Sequence, residues 1–231
     1  MLQVDPQTGR VSVVVPSFER PYAVVRAPSG SVFVSSANLL RRVDANGTAT
    51  VAQAEQDIGP LAAAPDGDVY YATATQIFRL AGGGGTPIRI AGAGTDGGGG
   101  DGGPALQAQF SVPHGLAIAA DGTLLVSDAG NDRLRRIDLT SGVVTTLAQI
   151  GTPHGIDVGA DGTIYVIDSR ANRVVHLSAS GARLGFVGPT FALPYDVEVA
   201  ADGATFVLDA GPVGYVRRIA PDGTLTTVSR P

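Results

Sequence analysis

The chain has 231 residues, a formal net charge of −5 at pH 7, 44% hydrophobic residues and only 16% charged residues. It contains no Cys, and all 16 basic residues are Arg, so disulfides, thiolate chemistry and lysine Schiff bases are excluded. The acidic balance gives no general attraction to nucleic acid or anionic lipid, and no segment is apolar over the length that spans a bilayer. We therefore expect no nucleic-acid partner and no membrane insertion.

The first segment predicts two short strands joined by a turn. Leu2–Asp5 leads through Gly9 into Val11–Val15. No signal peptide is recognisable there, because the basic and apolar regions of such a peptide are both lacking. The bias toward Arg, Ala and Gly indicates a GC-rich bacterial gene. An extracytoplasmic location is expected if the chain is a fragment of a longer protein.

A unit of about forty residues then recurs five times, which is the period of a β-propeller blade. Its first turn contains a glycine in all five copies, at Gly30, Gly67, Gly122, Gly162 and Gly203. Its second turn occurs six times, at Gly9, Gly47, the glycine run 82–85, Gly142, Gly181 and Gly223. Short strands with such turns are typical of propellers. The counts predict an all-β, six-bladed propeller with five full blades and a two-stranded N-terminal half-blade.

We expect a single propeller domain over residues 1–231. Its expected parts are a half-blade (1–16), blades at 17–56 and 57–92, a Gly-rich inter-blade loop (93–109), and blades at 110–149, 150–189 and 190–231. The loop is interpreted as a flexible excursion. An incomplete blade presents an open sheet edge, so edge-to-edge self-association is also expected.

Three motifs in the third repeat resemble those of the NHL-repeat β-propeller family. A Gly-Asp-Gly-Gly-Pro-Ala insertion at Gly100–Ala105 precedes the Pro-x-Gly-Leu motif at Pro113–Leu116. An Asp-x-x-Asn-x-Arg motif follows at Asp128–Arg133. The combination is specific, and it continues well into the fourth and fifth repeats. The resemblance implies an NHL-type propeller, a fold that serves as a binding platform, a sensor, an RNA binder or, in related forms, an enzyme.

The residue after each leading proline starts an inner strand, so these residues are predicted to surround one mouth of the central channel. In chain order they are Tyr22, Leu61, His114, His154 and Tyr195. Convergent side chains at such a mouth are a typical way to build a binding site. We interpret Tyr22, His114, His154 and Tyr195 as candidate ligand-binding residues, against the alternative that they only close the channel.

Two imidazoles in adjacent blades can also accept a metal ion such as Zn²⁺. The Pro-His-Gly and Pro-Tyr-Asp segments are similar to those of the peptidyl-hydroxyglycine α-amidating lyases. That resemblance implies zinc ligands at His114 and His154 and a catalytic phenol at Tyr195 or Tyr22. A third histidine expected from the resemblance is missing.

Two acidic residues, Asp157 and Glu198, occupy the same position in consecutive inner strands. A carboxylate on an apolar strand is costly to bury unless it is paired or bound to a metal. If the protein is an enzyme, these residues are candidates for a general base. Gluconolactonase and regucalcin-type propellers, which use Ca²⁺, also place acids in the channel, but their inner-strand Asn-Gly signature is replaced by His-Gly in this chain.

Asp128, Asp168 and Asp209 each end the second strand of a repeat, which indicates scaffolding rather than function. We expect them to accept backbone N–H groups of the following turn. The arginines expected to pair with them lie on the third strands: Arg133, Arg136, Arg173 and Arg218.

The sequence thus favours a non-catalytic binding or sensor propeller that captures a protein, a peptide or a small molecule at the channel mouth, without a cofactor. The alternative is a metal-dependent lyase or lactonase that uses Zn²⁺ or Ca²⁺ at the same site.

Overall fold

The computed structural model describes residues 2–4, 11–13, 18–44 and 47–229, and nearly all regular structure in them is β-strand. Twenty-two strands form five four-stranded sheets and one two-stranded sheet. Three single-turn 3₁₀ helices lie at Ala81–Gly83, Ala105–Gln107 and Ala129–Asn131. Within the described ranges, no helix has the length and apolar character needed to cross a membrane.

Each four-stranded sheet is one blade, with its strands paired antiparallel in chain order. Blade 1 contains β3 (Pro21–Arg26), β4 (Val32–Ser36), β5 (Leu39–Asp44) and β6 (Gly47–Gln53). Blade 2 contains β7 (Leu61–Ala63), β8 (Val69–Ala72), β9 (Ile77–Leu80) and β10 (Ile88–Ala91). Blade 3 contains β11 (Pro113–Ile118), β12 (Leu124–Asp128), β13 (Arg133–Ile137) and β14 (Val144–Gln149). Blade 4 contains β15 (Pro153–Val158), β16 (Ile164–Asp168), β17 (Arg173–Leu177) and β18 (Arg183–Val187). Blade 5 contains β19 (Pro194–Val199), β20 (Thr205–Asp209), β21 (Tyr215–Ile219) and β22 (Leu225–Ser229).

The core of the propeller lies between neighbouring blades. The first strands β3, β7, β11, β15 and β19 contact one another in that order around the axis. The second strand of blade 3, β12, is buried along its whole length, because blades pack on both of its faces. The outermost strand of the same blade, β14, is buried only at Val144. Apolar runs therefore predict inner strands, and mixed runs predict outer ones.

The prediction of six blades is wrong, because the structure has five blades of four strands each. The strands β1 (Leu2–Val4) and β2 (Val11–Val13) pair only with each other among the described strands. A sheet of two strands lacks the inner pair that packs around the axis, so a sixth outer turn in the sequence does not indicate a sixth blade. The turn at Gly9 lies outside the described residues. Edge-to-edge self-association stays a prediction.

The first and last blades each have one face that is less covered than its equivalents. Ile156 in β15 is 7% exposed, whereas Val24, at the same position of β3, is 59% exposed. Ile167 in β16 is 0% exposed, whereas Leu208, at the same position of β20, is 42% exposed. In blade 4 the neighbouring blades bury both positions. The exposed side chains of blades 1 and 5 therefore mark the faces on which blade-to-blade packing is incomplete.

The recurrent aspartates do accept backbone N–H groups, as predicted, but only one of them caps the following turn. Asp168 Oδ1 accepts the N–H of Ala171 at 2.9 Å. Asp128 and Asp209 instead accept N–H groups from the segment before their blade's first strand, at Ser111 (2.8 Å) and Leu193 (2.8 Å).

The predicted arginine partners of Asp128 and Asp209 are wrong. The side chain of Arg135, rather than Arg133 or Arg136, pairs with Asp128 at 3.2 Å, and both side chains are fully buried. Arg217, rather than Arg218, faces Asp209, at 4.0 Å. Side chains alternate between the two faces of a strand, so a shift of one residue moves the guanidinium to the other face of the blade.

The Gly-rich loop does not extend freely but is held against blade 3 by side chains. Arg135 Nη2 donates to Asp101 Oδ1 at 2.8 Å, and the Thr146 hydroxyl donates to Asp101 Oδ2 at 2.6 Å. Asn131 and Arg133 donate to the carbonyls of Gly97 and Gly98, both at 2.8 Å. The loop packs so closely on these side chains that a Cβ atom at Gly98 would lie 2.9 Å from Asn131 Oδ1.

Because one face of blade 5 is less covered than its equivalent in blade 4, truncating equivalent side chains in the two blades should lower the free energy of unfolding by different amounts. Ile167→Ala should lower the free energy of unfolding by about 2–5 kcal/mol, because it leaves a cavity between two blades. Leu208→Ala, at the equivalent position of blade 5, should cost less than about 1 kcal/mol. Denaturant titration measures both values. A large cost at Leu208 would show that its face is covered in solution.

The buried ion pair between Arg135 and Asp128 predicts a second difference in the free energy of unfolding between equivalent substitutions. Arg135→Ala should lower the free energy of unfolding by about 3–5 kcal/mol, because it leaves Asp128 buried without its cation. Arg217→Ala, at the equivalent position of blade 5, should cost about 1 kcal/mol or less, because that pair is longer and partly exposed. Equal costs, measured by urea unfolding, would contradict this account of the buried pair.

Candidate functional site

Four of the five residues predicted at the channel mouth form one cluster of aromatic rings, here called the ring cluster: Tyr22, His114, His154 and Tyr195. The imidazoles of His114 and His154 stack with centroids 4.3 Å apart and planes inclined by 23°. The ring of Tyr195 stands edge-on to His154 at 5.0 Å, and Tyr22 lies 6.1 Å from His114 and 6.4 Å from Tyr195. The fifth predicted residue, Leu61, is buried and is absent from these ring contacts.

Close approach of the inner strands places these rings in contact. A Cβ atom at Gly115 would lie 2.5 Å from the carbonyl oxygen of His154, and one at Gly155 would lie 2.1 Å from Oδ1 of Asp196. Real Cβ contacts are longer than this, so only glycine fits at either position. The glycine that follows each histidine therefore sets the spacing at which the two imidazoles stack.

Hydrogen bonds link the rings to one another. The Tyr22 hydroxyl hydrogen-bonds to Nδ1 of His114 and to Tyr195. Burial, followed by the contact with Tyr195, raises the pKa of Tyr22 far above its ordinary value of 10, so the phenol keeps its proton. The ring cluster thus holds a donor–acceptor chain that runs across blades 5, 1 and 3.

The two imidazoles are uncharged at neutral pH. Burial lowers the pKa of His114 below its ordinary value of 6.5. Burial, and then the neighbouring imidazole of His114, lowers the pKa of His154 to about 4. Both effects follow from the same packing, since a second positive charge within a stacked pair would be both desolvated and repelled.

A cavity of about 360 Å³ lies beside the ring cluster, between blades 1, 2 and 3. Tyr22 and His114 form part of its wall, together with the apolar side chains of Ile58 and Val112. A salt bridge between Arg20 and Asp57 (3.0 Å) lies on the exposed side of the same cavity. The volume is within the usual range for a small-molecule site.

A second cavity of about 380 Å³ shares no lining residue with the first and is lined by the other ends of the inner strands. Leu61, Asp157 and Glu198 line it. Asp157 Oδ2 accepts the N–H of Val199 at 2.7 Å, and the carboxyl groups of Asp157 and Glu198 hydrogen-bond to each other. The two predicted acids therefore meet, but at a different cavity from the one beside Tyr22 and His114.

The side chain of Asp157 is half-buried, and Glu198 is exposed to the second cavity. Desolvation, followed by the negative charges of Asp157 and Asp196, raises the pKa of Glu198 from its ordinary 4.5 to about 8. Desolvation also raises the pKa of Asp157. The Asp157–Glu198 pair therefore keeps a proton to a higher pH than an isolated carboxyl group does.

The comparisons with known proteins agree with the propeller fold and its repeat. The NHL repeat family matches residues 151–177, which include β15, β16 and β17. This chain is a β-propeller that contains an NHL repeat. No curated protein matches it in sequence.

Several solved propellers are similar to the NHL-type propeller in fold. Virginiamycin B lyase from Staphylococcus aureus is 16% identical with a TM-score of 0.72, over 98% of this chain and 75% of the lyase. A catalytically inactive variant of that lyase, solved with quinupristin, is 16% identical with a TM-score of 0.70, over 96% and 74% of the two chains. A putative TolB from Agrobacterium tumefaciens is 19% identical with a TM-score of 0.77, over 98% and 87% of the two chains. At these identities the likeness concerns the fold alone.

The geometry of the NHL-type propeller offers little to a metal ion. Nδ1 of His114 is already hydrogen-bonded to the Tyr22 hydroxyl. Lone pairs lie in the planes of the imidazoles, so stacked rings direct them nearly parallel instead of toward one point. Across the described ranges, no group of three or more His, Cys, Asp or Glu side chains could hold a metal ion.

Sequence reasoning missed one residue of the site, Asp196. Its carboxylate lies against Gly155 and raises the pKa of Tyr22, so it stands between the ring cluster and the acid pair. Desolvation raises the pKa of Asp196 itself. The signal was present in the sequence, because Asp196 replaces the glycine that follows the histidine in the two preceding repeats.

The shared proton of Glu198 predicts a pH-dependent difference in stability. Between pH 4.5 and about 8 the native state holds a proton that the unfolded chain releases. The stability that this group contributes is therefore complete below pH 4.5, declines as pH rises from 4.5, and is lost above about 8. Glu198→Gln removes this decline. Its melting temperature relative to the unaltered chain should therefore increase from pH 5 to pH 8.

Asp202→Asn is the matched control for this measurement. A backbone hydrogen bond from Ala204, and then Arg218, lower the pKa of Asp202, so its contribution is lost only as pH falls below its ordinary value of 3.8. Its melting-temperature difference should stay constant between pH 5 and pH 8. A constant difference for Glu198→Gln as well would contradict the shared proton.

Proposed function

We propose that this propeller is a non-catalytic binding protein that captures an uncharged, aromatic group of a small molecule or peptide in the cavity beside Tyr22 and His114. The observation that carries this proposal is an uncharged ring cluster bordering a cavity of about 360 Å³. Burial of a charged ligand against such a wall would be costly, whereas an aromatic ring gains stacking and edge contacts.

The polar groups at the cavity also fit an uncharged ligand. Arg20 and Asp57 neutralise each other, so neither offers a free charge to the ligand. The Tyr22 hydroxyl and the His114 imidazole hydrogen-bond to each other, which fixes the orientation of both rings at the wall that a ligand would contact. Apolar walls with a few oriented polar groups are the usual composition of a small-molecule site.

Catalysis by the same cluster is less well supported. A general base works best when its pKa is near the operating pH, and the pKa of His154 is about 4. The pKa of Tyr22 is raised, which makes it a poor proton donor. The structurally similar lyases are too distant in sequence to transfer their activity to this chain.

Calorimetric titration with N-acetyl-L-tyrosinamide tests the proposal. The uncharged probe should bind, and the acetylated amides of glutamate and lysine should bind at least about tenfold more weakly. His114→Ala should weaken binding of the tyrosine probe by about tenfold, because it removes a ring and the acceptor of Tyr22.

His176→Ala is the matched control. His176 lies in β17, the third strand of blade 4, away from the ring cluster, and its ring stacks on Tyr165. It should leave the affinity unchanged. Equal loss in both variants, or binding of the charged probes alone, would contradict the proposed site. Conversion of quinupristin to a new chromatographic species, abolished by His154→Ala, would instead identify an enzyme.

A further inference from the structure

Three residues with side chains adopt the left-handed backbone conformation immediately before the leading proline of an inner strand. They are Arg20, Val112 and Thr152, with φ of 45°, 47° and 49°. This conformation is unfavourable for any residue with a Cβ atom and is a marked outlier for a β-branched one. Such outliers persist only where the surroundings impose them, and they concentrate at functional sites.

The left-handed conformation of Thr152 has a structural explanation. Its backbone N–H donates to Asp132 Oδ1 at 2.8 Å, and its hydroxyl donates to the same oxygen at 3.3 Å. Asp132 is held in turn by Arg170, at 2.9 Å. The side chain of Thr152 therefore ties blade 4 to the turn between the second and third strands of blade 3. Thr152 is not part of the wall of the mouth cavity.

Val112 has no comparable explanation. Its N–H donates to the carbonyl of Ala74 at 2.8 Å, a bond that glycine would form equally well. Its side chain is 49% exposed, so burial does not offset the unfavourable conformation. Val112 is part of the wall of the cavity that Tyr22 and His114 also line.

We propose that Val112 is a specificity-determining residue whose isopropyl group limits the size of the aromatic ring that the mouth cavity admits. This inference rests on the proposed function. Only Pro113, with its fixed φ, separates Val112 from His114. Val112 in the cavity wall and the His114 ring that would contact the ligand are therefore held close together in the chain. A glycine at position 112 would relieve the unfavourable backbone conformation but remove the side chain from the wall.

Two probes of different size test this inference by calorimetric titration: N-acetyl-L-tyrosinamide and the bulkier N-acetyl-L-tryptophanamide. Val112→Gly should shift the ratio of the two affinities toward the tryptophan probe by about fivefold or more. Val112→Ile should shift the ratio in the opposite direction. Thr152→Gly, the matched left-handed position outside the cavity wall, should leave the ratio unchanged.

Thermal unfolding separates this role from a structural one. Because glycine adopts positive φ without steric strain, the melting temperature of Val112→Gly should be no more than about 2 °C below that of the unaltered chain. A larger decrease with an unchanged affinity ratio would make Val112 a structural residue and overturn the inference. If Val112→Gly does not fold, an unchanged ratio in Val112→Ile overturns it equally.

The two proposals fail in different ways. If the unaltered chain binds neither probe, the proposed function and the role of Val112 both fall. If the tyrosine probe binds and His114→Ala weakens it, but neither variant at position 112 changes the ratio, only the role of Val112 is wrong.

Discussion

The close approach of neighbouring inner strands is the constraint on which the rest of the structure depends. At Gly115 and Gly155 the adjacent blade lies so near that no Cβ atom fits. This distance sets how tightly the second strands interlock, and it leaves inner positions such as Leu124 and Val126 fully buried. It also stacks His114 on His154, which desolvates both imidazoles. Packing, ring geometry and the uncharged state of the mouth thus have one common cause.

Stability follows from how completely each blade is covered. In the middle of the array both faces are covered, and even an arginine, Arg135, is fully buried because Asp128 and Asp101 neutralise it. At blade 5 the equivalent arginine is partly exposed and its ion pair is longer. Identical positions of one repeat therefore differ in energy because their neighbours differ. A repeat protein with nearest-neighbour packing behaves in this way.

Several features were predictable from the sequence because the repeat itself encodes them. The residue after the leading proline occupies one phase of the repeat, so the sequence alone groups Tyr22, His114, His154 and Tyr195 at one end of the inner strands. The blade number could not be predicted by counting turns, because a turn does not reveal whether its two strands acquire inner partners. The anchoring of the Gly-rich loop was also missed, since Arg135 and Asp101 are 34 residues apart and only folding brings them together.

Side-chain direction was a further limit. A shift of one residue along β13 separates Arg135, which is buried, from Arg136, which lies on the other face of the blade. Motif repetition indicated that arginines recur on the third strand but did not determine which of two adjacent arginines faces inward. Asp196 was missed for a related reason: its meaning lies in the glycine it replaces, and the sequence alone does not show that the glycine fills a close contact.

The inner strands carry two different electrostatic environments along their length. At their first residues, uncharged rings surround the mouth, and hydrogen bonds link Tyr195, Tyr22 and His114 to one another. Three residues further on, carboxyl groups from blades 4 and 5 share a proton at the second cavity. The inner strands are irregular between the two environments, since the register of β15 shifts between Pro153 and Ile156 and that of β19 shifts between Pro194 and Asp196. Since the two cavities share no lining residue, a ligand at the mouth need not neutralise the acid pair, and the pH dependence of folding and the selectivity of the mouth arise from separate groups.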